Sequence, residues 1–251
     1  MKRFLKAVLL LLAFSIPFDA LADGTGSVTF NGINYTLYYS GEGAGAEAEY
    51  VEVTWQPTNI NGTADIASSI TYEYTYTSDG NTYTRYLTAP VTKIRECAFY
   101  YCSWLTDVII PNTITTIGQE AFYGCSRLTN IVIPSSVNSI GNLAFASCSS
   151  LISVAIPESV ISIGNGTFSN CSSLTNLTIP SSVTSIGSHT FYGCSSLTSI
   201  IIPNSITSIG SNAFNGCSNL ASITIPNTIT TIGSSAFSYC SNWLRVDPHK
   251  A

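Results

Sequence analysis

Seven cysteines recur at a fixed interval of 23 residues, and metal binding or thiol chemistry would be an obvious use for such a row. They are Cys102, Cys125, Cys148, Cys171, Cys194, Cys217 and Cys240. The chain has no C-x-x-C motif of the kind that holds zinc. Parallel side chains on stacked coils would keep Cβ atoms about 4.8 Å apart, farther than disulfides prefer. We therefore predict buried, reduced thiols that act as small hydrophobic groups, with disulfides as the alternative that a secreted protein would permit.

Acid, base and nucleophilic side chains are too dispersed to predict a catalytic site. His189 and Glu120 occupy the same repeat position three units apart, which places them roughly 14 Å from each other in a stacked array. Asp107 is expected on a strand and His189 on the opposite side of the coil, so no Ser-His-Asp triad can form. Cys97 shares the repeat position of Glu120 and is predicted to be exposed, either idle or paired with another chain. The sequence predicts no enzyme, no cofactor and no metal site.

The element that positions all these residues is a 23-residue unit, repeated six times between Leu105 and Asn242. It reads L-T-x-I-x-I-P-x-x-I/V-T-x-I-G-x-x-A-F-x-x-C-S-x, and its period lies within the range of leucine-rich repeats. We predict a β-rich solenoid, a right-handed leucine-rich repeat superhelix with one strand per coil. Prolines such as Pro111 should end the strands. The phenylalanines of the Ala-Phe pairs should fill the convex side of the core, and glycines such as Gly118 should adopt positive φ.

Strand alternation selects the side chains that point away from this core. They form a polar column beside a mostly aliphatic one, and we predict that a protein ligand binds there. The alternative is that these residues bind nothing and serve only to form strands and to keep the surface soluble. The candidate residues are Asp107, Ile109, Asn130, Val132, Ser153, Ala155, Asn176, Thr178, Ser199, Ile201, Ser222 and Thr224.

Charge is scarce, which excludes some classes of partner. Only 9% of the residues are charged, and the six repeats contain one basic residue, Arg127. Nucleic acids and anionic lipid surfaces are recognised by clustered lysines and arginines, so neither is a predicted partner.

Residues 1–22 have a basic start, an apolar stretch and an Ala-x-Ala end, which predict a cleaved secretory signal peptide. A membrane anchor is the weaker alternative, because the apolar stretch is shorter than the ~20 residues of a spanning helix. After cleavage no membrane span is expected, and the formal charge would be about −7.

Residues 23–86 alternate polar and aromatic side chains and predict a β-rich N-terminal cap, with an independent binding domain as the alternative. Asn31-Gly32 and Asp79-Gly80 each separate two strand patterns and predict hairpins. Residues 87–104 form a degenerate lead repeat in front of the six repeats of 105–242. In residues 243–251, Trp243 takes the leucine position of a further coil, and the segment is either a minimal cap or a truncated array.

The repeat resembles the BspA-like leucine-rich repeat family of bacterial and protozoan surface proteins. The resemblance rests on Ile186-Gly187, Phe191, Cys194-Ser195, Leu197-Thr198, Ile200, Ile202-Pro203 and Ile206, and it extends over residues 91–242. It implies a secreted or cell-surface protein with a protein-binding or adhesive role, often toward host matrix proteins. The second hypothesis is a passive surface scaffold whose coils self-associate.

Overall fold

The computed structural model describes residues 23–30, 32–40, 47–56 and 62–240. Regular structure within these ranges is entirely β, and no helix there is long and apolar enough to cross a membrane. The predicted signal peptide and residues 243–251 lie outside the described residues. The N-terminal part contains six strands: β1 Asp23–Phe30, β2 Ile33–Ser40, β3 Glu47–Val53, β4 Gly62–Asp65, β5 Ser69–Ser78 and β6 Asn81–Ile94.

Both predicted hairpins are confirmed. Strands β1 and β2 pair antiparallel with Phe30 opposite Ile33, and β5 pairs with β6 with Ser78 opposite Asn81. Asp79 and Gly80 have φ of 52° and 77°, as both central residues of a type I′ turn require. Gly32 also has positive φ, while Asn31 lies outside the described residues.

The repeats build two rows of parallel strands, so the predicted β-rich solenoid is confirmed. The prediction of one strand per coil is wrong, because each coil contributes a strand to both rows. The first row contains β7 Leu105–Ile109, β9 Asn130–Val132, β11 Ser153–Ala155, β13 Asn176–Thr178, β15 Ser199–Ile201 and β17 Ser222–Thr224. The second row contains β8 Thr116–Ile117, β10 Ser139–Ile140, β12 Ser162–Ile163, β14 Ser185–Ile186, β16 Ser208–Ile209 and β18 Thr231–Ile232. Paired residues are one repeat apart, as Val154 with Ile131 and Leu177. Each first-row strand ends two residues before its proline.

The interior contains the repeat leucines, isoleucines, valines, phenylalanines and cysteines in separate rows. Phe99, Phe122, Phe145, Phe168, Phe191 and Phe214 are fully or almost fully buried, as predicted. Their rings stack along the solenoid, with centroid distances that range from 5.0 Å for the first pair to 5.9 Å for Phe168 and Phe191. Each coil therefore buries part of the next, which is why stability is shared between neighbouring coils.

The predicted reason for the repeat glycines is wrong. Gly118 and its equivalents do not have positive φ. A Cβ atom at Gly164 would instead lie 2.3 Å from the backbone nitrogen of Asn142 in the preceding coil, and one at Gly141 would lie 2.5 Å from that of Gln119. These glycines permit a close approach between coils, and their N–H groups donate across it, as from Gly164 to the Ile140 carbonyl oxygen at 2.9 Å.

Positive φ occurs instead in two rows of residues near the Ala-Phe turns. The first row is Cys97, Glu120, Leu143, Gly166, His189, Asn212 and Ser235, and the second is Tyr101, Gly124, Ser147, Asn170, Gly193, Gly216 and Tyr239. Most of these residues have a side chain, although left-handed backbone normally favours glycine. Their N–H groups donate to carbonyl oxygens of the following coil, as from Glu120 to Asn142 at 2.8 Å and from Gly124 to Ala146 at 2.8 Å.

The N-terminal strands extend both rows of the solenoid. Strand β3 pairs in parallel with β6, which in turn pairs with β8, and β4 pairs in parallel with β7. The cap was predicted to end after residue 86, but strand β6 continues from residue 86 into residue 87 without interruption. One hydrophobic cluster reaches from Ile33 to Cys240. The boundary after residue 86 stays a prediction, but the core does not divide there.

Glu52 attaches the N-terminal strands to the lead repeat, and Gln56 holds these strands to one another. The Glu52 carboxylate accepts from Lys93 at 3.4 Å and from Arg95 at 3.2 Å, and the Tyr38 hydroxyl donates to it at 3.2 Å. Gln56 is fully buried; its amide nitrogen donates to the Asn34 carbonyl oxygen at 3.0 Å. The Gln56 backbone N–H donates to the Ala98 carbonyl oxygen at 2.7 Å. Because buried polar groups need partners, the Glu52 ion pairs and this backbone bond fix how the N-terminal strands sit against the lead repeat.

Candidate protein-binding face

The first strand row forms one exposed face, which we call the concave face. Strands β9, β11, β13, β15 and β17 pair in succession, and β4 pairs with β7 at the N-terminal end. In β9, β11, β13 and β15 an exposed residue precedes and follows a single buried one. The local cause is the L-x-x-I-x-I pattern, which turns every second side chain into the core.

All twelve candidate residues are exposed on this face. Parallel pairing places equivalent residues side by side, so Ser153 lies next to Asn130 and Asn176, and Ala155 lies next to Val132 and Thr178. The structure therefore brings the candidates together as two columns that are continuous from β9 to β17, and β7 lies in contact with β9 at their N-terminal end. Whether they bind a protein stays a prediction.

The second column carries large aliphatic side chains in contact with solvent. The exposed fractions are 55% for Ile109, 69% for Val132 and 78% for Ile201. Val108, Ile131 and Ile200, the buried neighbours of these residues, already supply the core contacts of their strands. The exposed aliphatic side chains are therefore not needed for the core. A row of apolar groups within a polar surface is typical of the centre of a protein interface.

The structure adds two residues that the sequence analysis missed. Strand β4 pairs with β7 so that Thr63 lies beside Asp107 and Asp65 beside Ile109, and both are exposed. Thr63 therefore extends the polar column and Asp65 extends the aliphatic one. With Asp107, Asp65 makes the N-terminal end of the face acidic. The polar and apolar alternation of residues 62–66 was the available signal, but these residues lie outside the 23-residue period.

Of the residues considered for catalysis, Glu120 and His189 lie near the turns in the first positive-φ row, as does Cys97, whereas Asp107 lies on β7. The Cys97 thiol lies 3.7 Å from a Glu120 carboxylate oxygen. Partial burial raises the pKa of Cys97, and the Glu120 charge raises it further, so this thiol is not activated. His189 lies beside Asn212, with 3.3 Å between His189 Nε2 and Asn212 Nδ2. An open cavity of about 320 Å³ adjoins His189 and Leu143 on either side of Gly166.

Among the described residues, no group of three or more histidine, cysteine, aspartate or glutamate side chains could hold a metal ion. The cysteine row serves a different purpose. Each thiol from Cys125 to Cys240 donates to a phenylalanine carbonyl oxygen in the preceding coil, as from Cys171 to Phe145 at 3.1 Å. A cysteine thus combines an apolar side chain with a donor that satisfies a buried carbonyl group.

None of the eight cysteines, all of which lie in the described part of the chain, forms a disulfide, and the seven periodic ones are buried. Burial raises the pKa of Cys102 to about 11 and raises the pKa of Cys148, Cys171 and Cys194 well above the usual range. The protonated form therefore persists in the folded protein at a pH where a free thiol ionises. Both the low accessibility and the missing thiolate protect these cysteines from alkylation.

We expect that alkylation at about pH 9 will modify Cys97 before any periodic cysteine, and Cys125 to Cys217 only after denaturant is added. Peptide mass analysis of the labelled protein, with and without denaturant, measures this difference. Cys97 is the internal control, because its thiol is only partly buried. Disulfides between successive coils, or rapid labelling of Cys148 in the native protein, would contradict the assignment.

Parallel coils with rows of inward leucine, isoleucine and phenylalanine define the protein as a leucine-rich repeat solenoid. The model of the BspA type leucine rich repeat region matches residues 69–189 and 162–249, with six copies. These matches cover more than half of the chain, which therefore belongs to the BspA type leucine-rich repeat family. No curated protein matches the chain.

Solved structures of three bacterial proteins share the fold. A leucine-rich repeat protein of T. pallidum is 29% identical, with a TM-score of 0.64 over 78% of this chain and 84% of its own. A leucine-rich cell surface protein of Faecalibacterium prausnitzii is 31% identical, with a TM-score of 0.67 over 89% of this chain and 55% of its own. A leucine-rich repeat protein of Bacteroides ovatus is 24% identical, with a TM-score of 0.59 over 89% of this chain and 57% of its own. At this identity, the similarity shows only that the two proteins share a fold. The chain thus spans little more than half the length of the last two.

Proposed function

We propose that this protein is an extracellular protein-binding module, secreted or held at the cell surface, and that its concave face contacts the partner. The observation that carries the proposal is the exposed aliphatic column, in which Ile109, Val132 and Ile201 are more than half exposed. An adhesive role toward a host matrix protein follows the resemblance to the family. Export would remove residues 1–22.

The chemistry of the face supports a protein ligand. Its residues are neutral except for Asp65 and Asp107 at one end, so it offers apolar contacts and hydrogen bonds in place of ionic ones. Such contacts are the usual basis of protein interfaces, with apolar groups at the centre and polar groups at the rim. The cell-surface relative from Faecalibacterium prausnitzii supports the proposed location.

Replacement of Ile109, Val132 and Ile201 together by lysine is expected to abolish binding to proteins of a solubilised extracellular matrix. Lysine is readily solvated at exposed strand positions, so the fold should survive while the apolar contacts are lost and three charges are added. Surface-immobilised protein tests this, with circular dichroism to check folding. Binding of the unmodified chain should change little with salt, because few charges take part.

A control variant places three lysines on the second strand row, in the repeats that begin at Leu128, Leu151 and Leu174. Asn138, Ile161 and Thr184 are exposed and lie directly before β10, β12 and β14, and their replacement by lysine should leave binding unchanged. Normal binding by the first triple variant would refute the concave-face proposal. Filaments that grow with protein concentration, without capture of any matrix protein, would favour the self-associating scaffold.

A further inference from the structure

Strands β5 and β6 form a long hairpin, and we call its outer part, residues 71–88, the hairpin arm. The antiparallel register runs without a shift from Ser69 opposite Pro90 to Ser78 opposite Asn81. Among the described strands, β5 pairs with β6 alone, whereas the last residues of β6 also pair with β3 and β8. One edge of β5 therefore has no partner strand in the described part of the chain.

The described side chains near the tip of the arm face solvent. Residues 78–84 are all exposed, and Tyr86 is 70% exposed. A two-stranded ribbon is only marginally stable in water, and three or more strands are usually needed for a stable sheet. A further strand beside β5 would therefore stabilise the arm.

The alternation of hydrogen bonds along the hairpin shows which backbone groups point away from β6. The Val91 N–H donates to the Ser68 carbonyl oxygen at 2.9 Å. Bonded and non-bonded positions alternate in an antiparallel pair, so the even-numbered residues of β5 bond to β6. Pro90, which has no N–H, accordingly falls at a non-bonded position opposite Ser69. The N–H and C=O groups that point outward belong to Thr71, Glu73, Thr75 and Thr77.

This edge lacks the features that normally prevent a strand from pairing with another chain. Proteins protect free edges with lysine, proline, bulges or very short strands. Strand β5 is ten residues long and contains no lysine, proline or glycine. On the other side of the arm, the outward positions of β6 end at Pro90, and that strand carries Arg85. Strand β1 contains two glycines, and β4, β17 and β18 have four residues or fewer.

The sequence of β5 is nearly symmetric about Tyr74. Residues 71–77 read Thr-Tyr-Glu-Tyr-Thr-Tyr-Thr, and the reverse order differs only by the exchange of Glu73 and Thr75. We propose that two copies of this protein pair along β5, antiparallel about a two-fold axis at Tyr74. The two hairpins then form one four-stranded sheet. Most homodimers are closed by such an axis, which places the same surface of both subunits in contact.

The outward backbone groups match in this arrangement. Glu73 of each copy lies opposite Thr75 of the other, so the two acidic residues do not face each other. Thr71 likewise lies opposite Thr77 of the other copy. Each of these pairs exchanges two backbone hydrogen bonds, which gives about eight bonds between the two chains.

The tyrosines of β5 also occupy matching positions. Tyr72 of one copy lies opposite Tyr76 of the other, and Tyr74 lies opposite Tyr74 of the other copy. Aromatic pairs across strands add to the stability of a sheet. A strand of an unrelated protein offers the same backbone bonds but not this match, which favours a second copy as the occupant. The contact uses no residue of the concave face, so it is independent of the proposed function.

The first test is the mass of the exported form of the protein, measured by sedimentation equilibrium at concentrations up to about 100 µM. We expect a dimer and no larger species. Thr75→Pro removes an outward N–H and should raise the dissociation constant of the dimer by about 10-fold or more. Thr84→Pro is the matched control, because Thr84 is the register partner of Thr75 and its N–H points away from the hairpin on the β6 side. This variant should leave the dimer unchanged.

A disulfide trap tests the position of the axis. In the dimer the two copies of Tyr74 lie at a non-bonded position with Cα atoms about 4.5 Å apart, within the range of a disulfide. Tyr74→Cys should therefore give a covalent dimer on mild oxidation, and Thr84→Cys should not. Both are made together with Cys97→Ser, which removes the partly buried native thiol.

Three results would overturn the proposal. They are a chain that stays monomeric at about 100 µM, equal weakening by Thr75→Pro and Thr84→Pro, and a disulfide that forms at position 84 but not at position 74. A monomer whose β5 captures an unrelated protein counts as the first of these. The triple lysine variant of the concave face should still form the dimer, so failure of the proposed function and failure of this proposal are distinguishable.

Discussion

Replacement of Phe168 by alanine is expected to lower the free energy of unfolding by about 3–5 kcal/mol, the usual cost of removing a buried aromatic ring. Phe168 is fully buried, and its ring stacks on Phe145 at 5.6 Å and on Phe191 at 5.9 Å. Its loss removes contacts from two neighbouring coils and leaves a cavity in the middle of the array. Urea denaturation followed by circular dichroism measures the change.

Ser199→Ala is the control for this prediction, because Ser199 is exposed at the start of β15. Its replacement should change the free energy of unfolding by no more than about 0.5 kcal/mol. Similar losses for the two variants would mean that the inward and outward assignments are wrong. A small loss for Phe168→Ala alone would mean that the coils are not coupled through the phenylalanine stack.

The repeat made the inward and outward sides predictable. Strand alternation and the 23-residue period independently assigned Val154 to the core and Ser153 and Ala155 to the surface, and the structure has them so. The two hairpins were predictable for a local reason, since Asp79 and Gly80 favour positive φ. Strand β4 was not, because its partner β7 lies more than 40 residues away and no repeat register links Gly62 to Leu105.

The turn geometry could not be read from residue types. Positive φ occurs at Cys97, Glu120, Leu143 and His189, residues with no common preference for that conformation. Hydrogen bonds between coils impose it, as where the His189 N–H donates to the Ser211 carbonyl oxygen at 2.9 Å. Tertiary contacts thus override local preference at this row.

The attachment of the N-terminal strands was also beyond sequence reasoning. Glu52 lies far from Lys93 and Arg95 in the chain and in a segment of different pattern. Only the pairing of β3 with β6 brings it to them. Gln56 has an ordinary polar side chain in the sequence, yet it is fully buried between backbone groups. Long-range pairing, not composition, determines both environments.

The repeat glycines provide the second large effect. Gly164→Ala is expected to destabilise the protein by about 3 kcal/mol or more, because overpacking against a backbone that cannot move is costly. The added Cβ would lie 2.3 Å from the Asn142 nitrogen and 2.5 Å from the Gly141 carbonyl carbon. Relief requires the two coils to separate, which would stretch the 2.9 Å hydrogen bond from Gly164 to Ile140. Thermal and urea unfolding measure the loss.

Gly216→Ala distinguishes this steric effect from a requirement for positive φ. Gly216 has φ of 78°, but a Cβ atom there would meet its nearest neighbour, Gly193 Cα, at an ordinary 3.4 Å. The expected loss is roughly 1–2 kcal/mol, the cost of left-handed backbone for a residue with a side chain. If Gly216→Ala proves as harmful as Gly164→Ala, or more so, then conformational freedom and not close approach explains the glycines. A larger loss for Gly164→Ala than for Gly216→Ala would show that the close spacing between coils excludes any side chain at the Gly164 row.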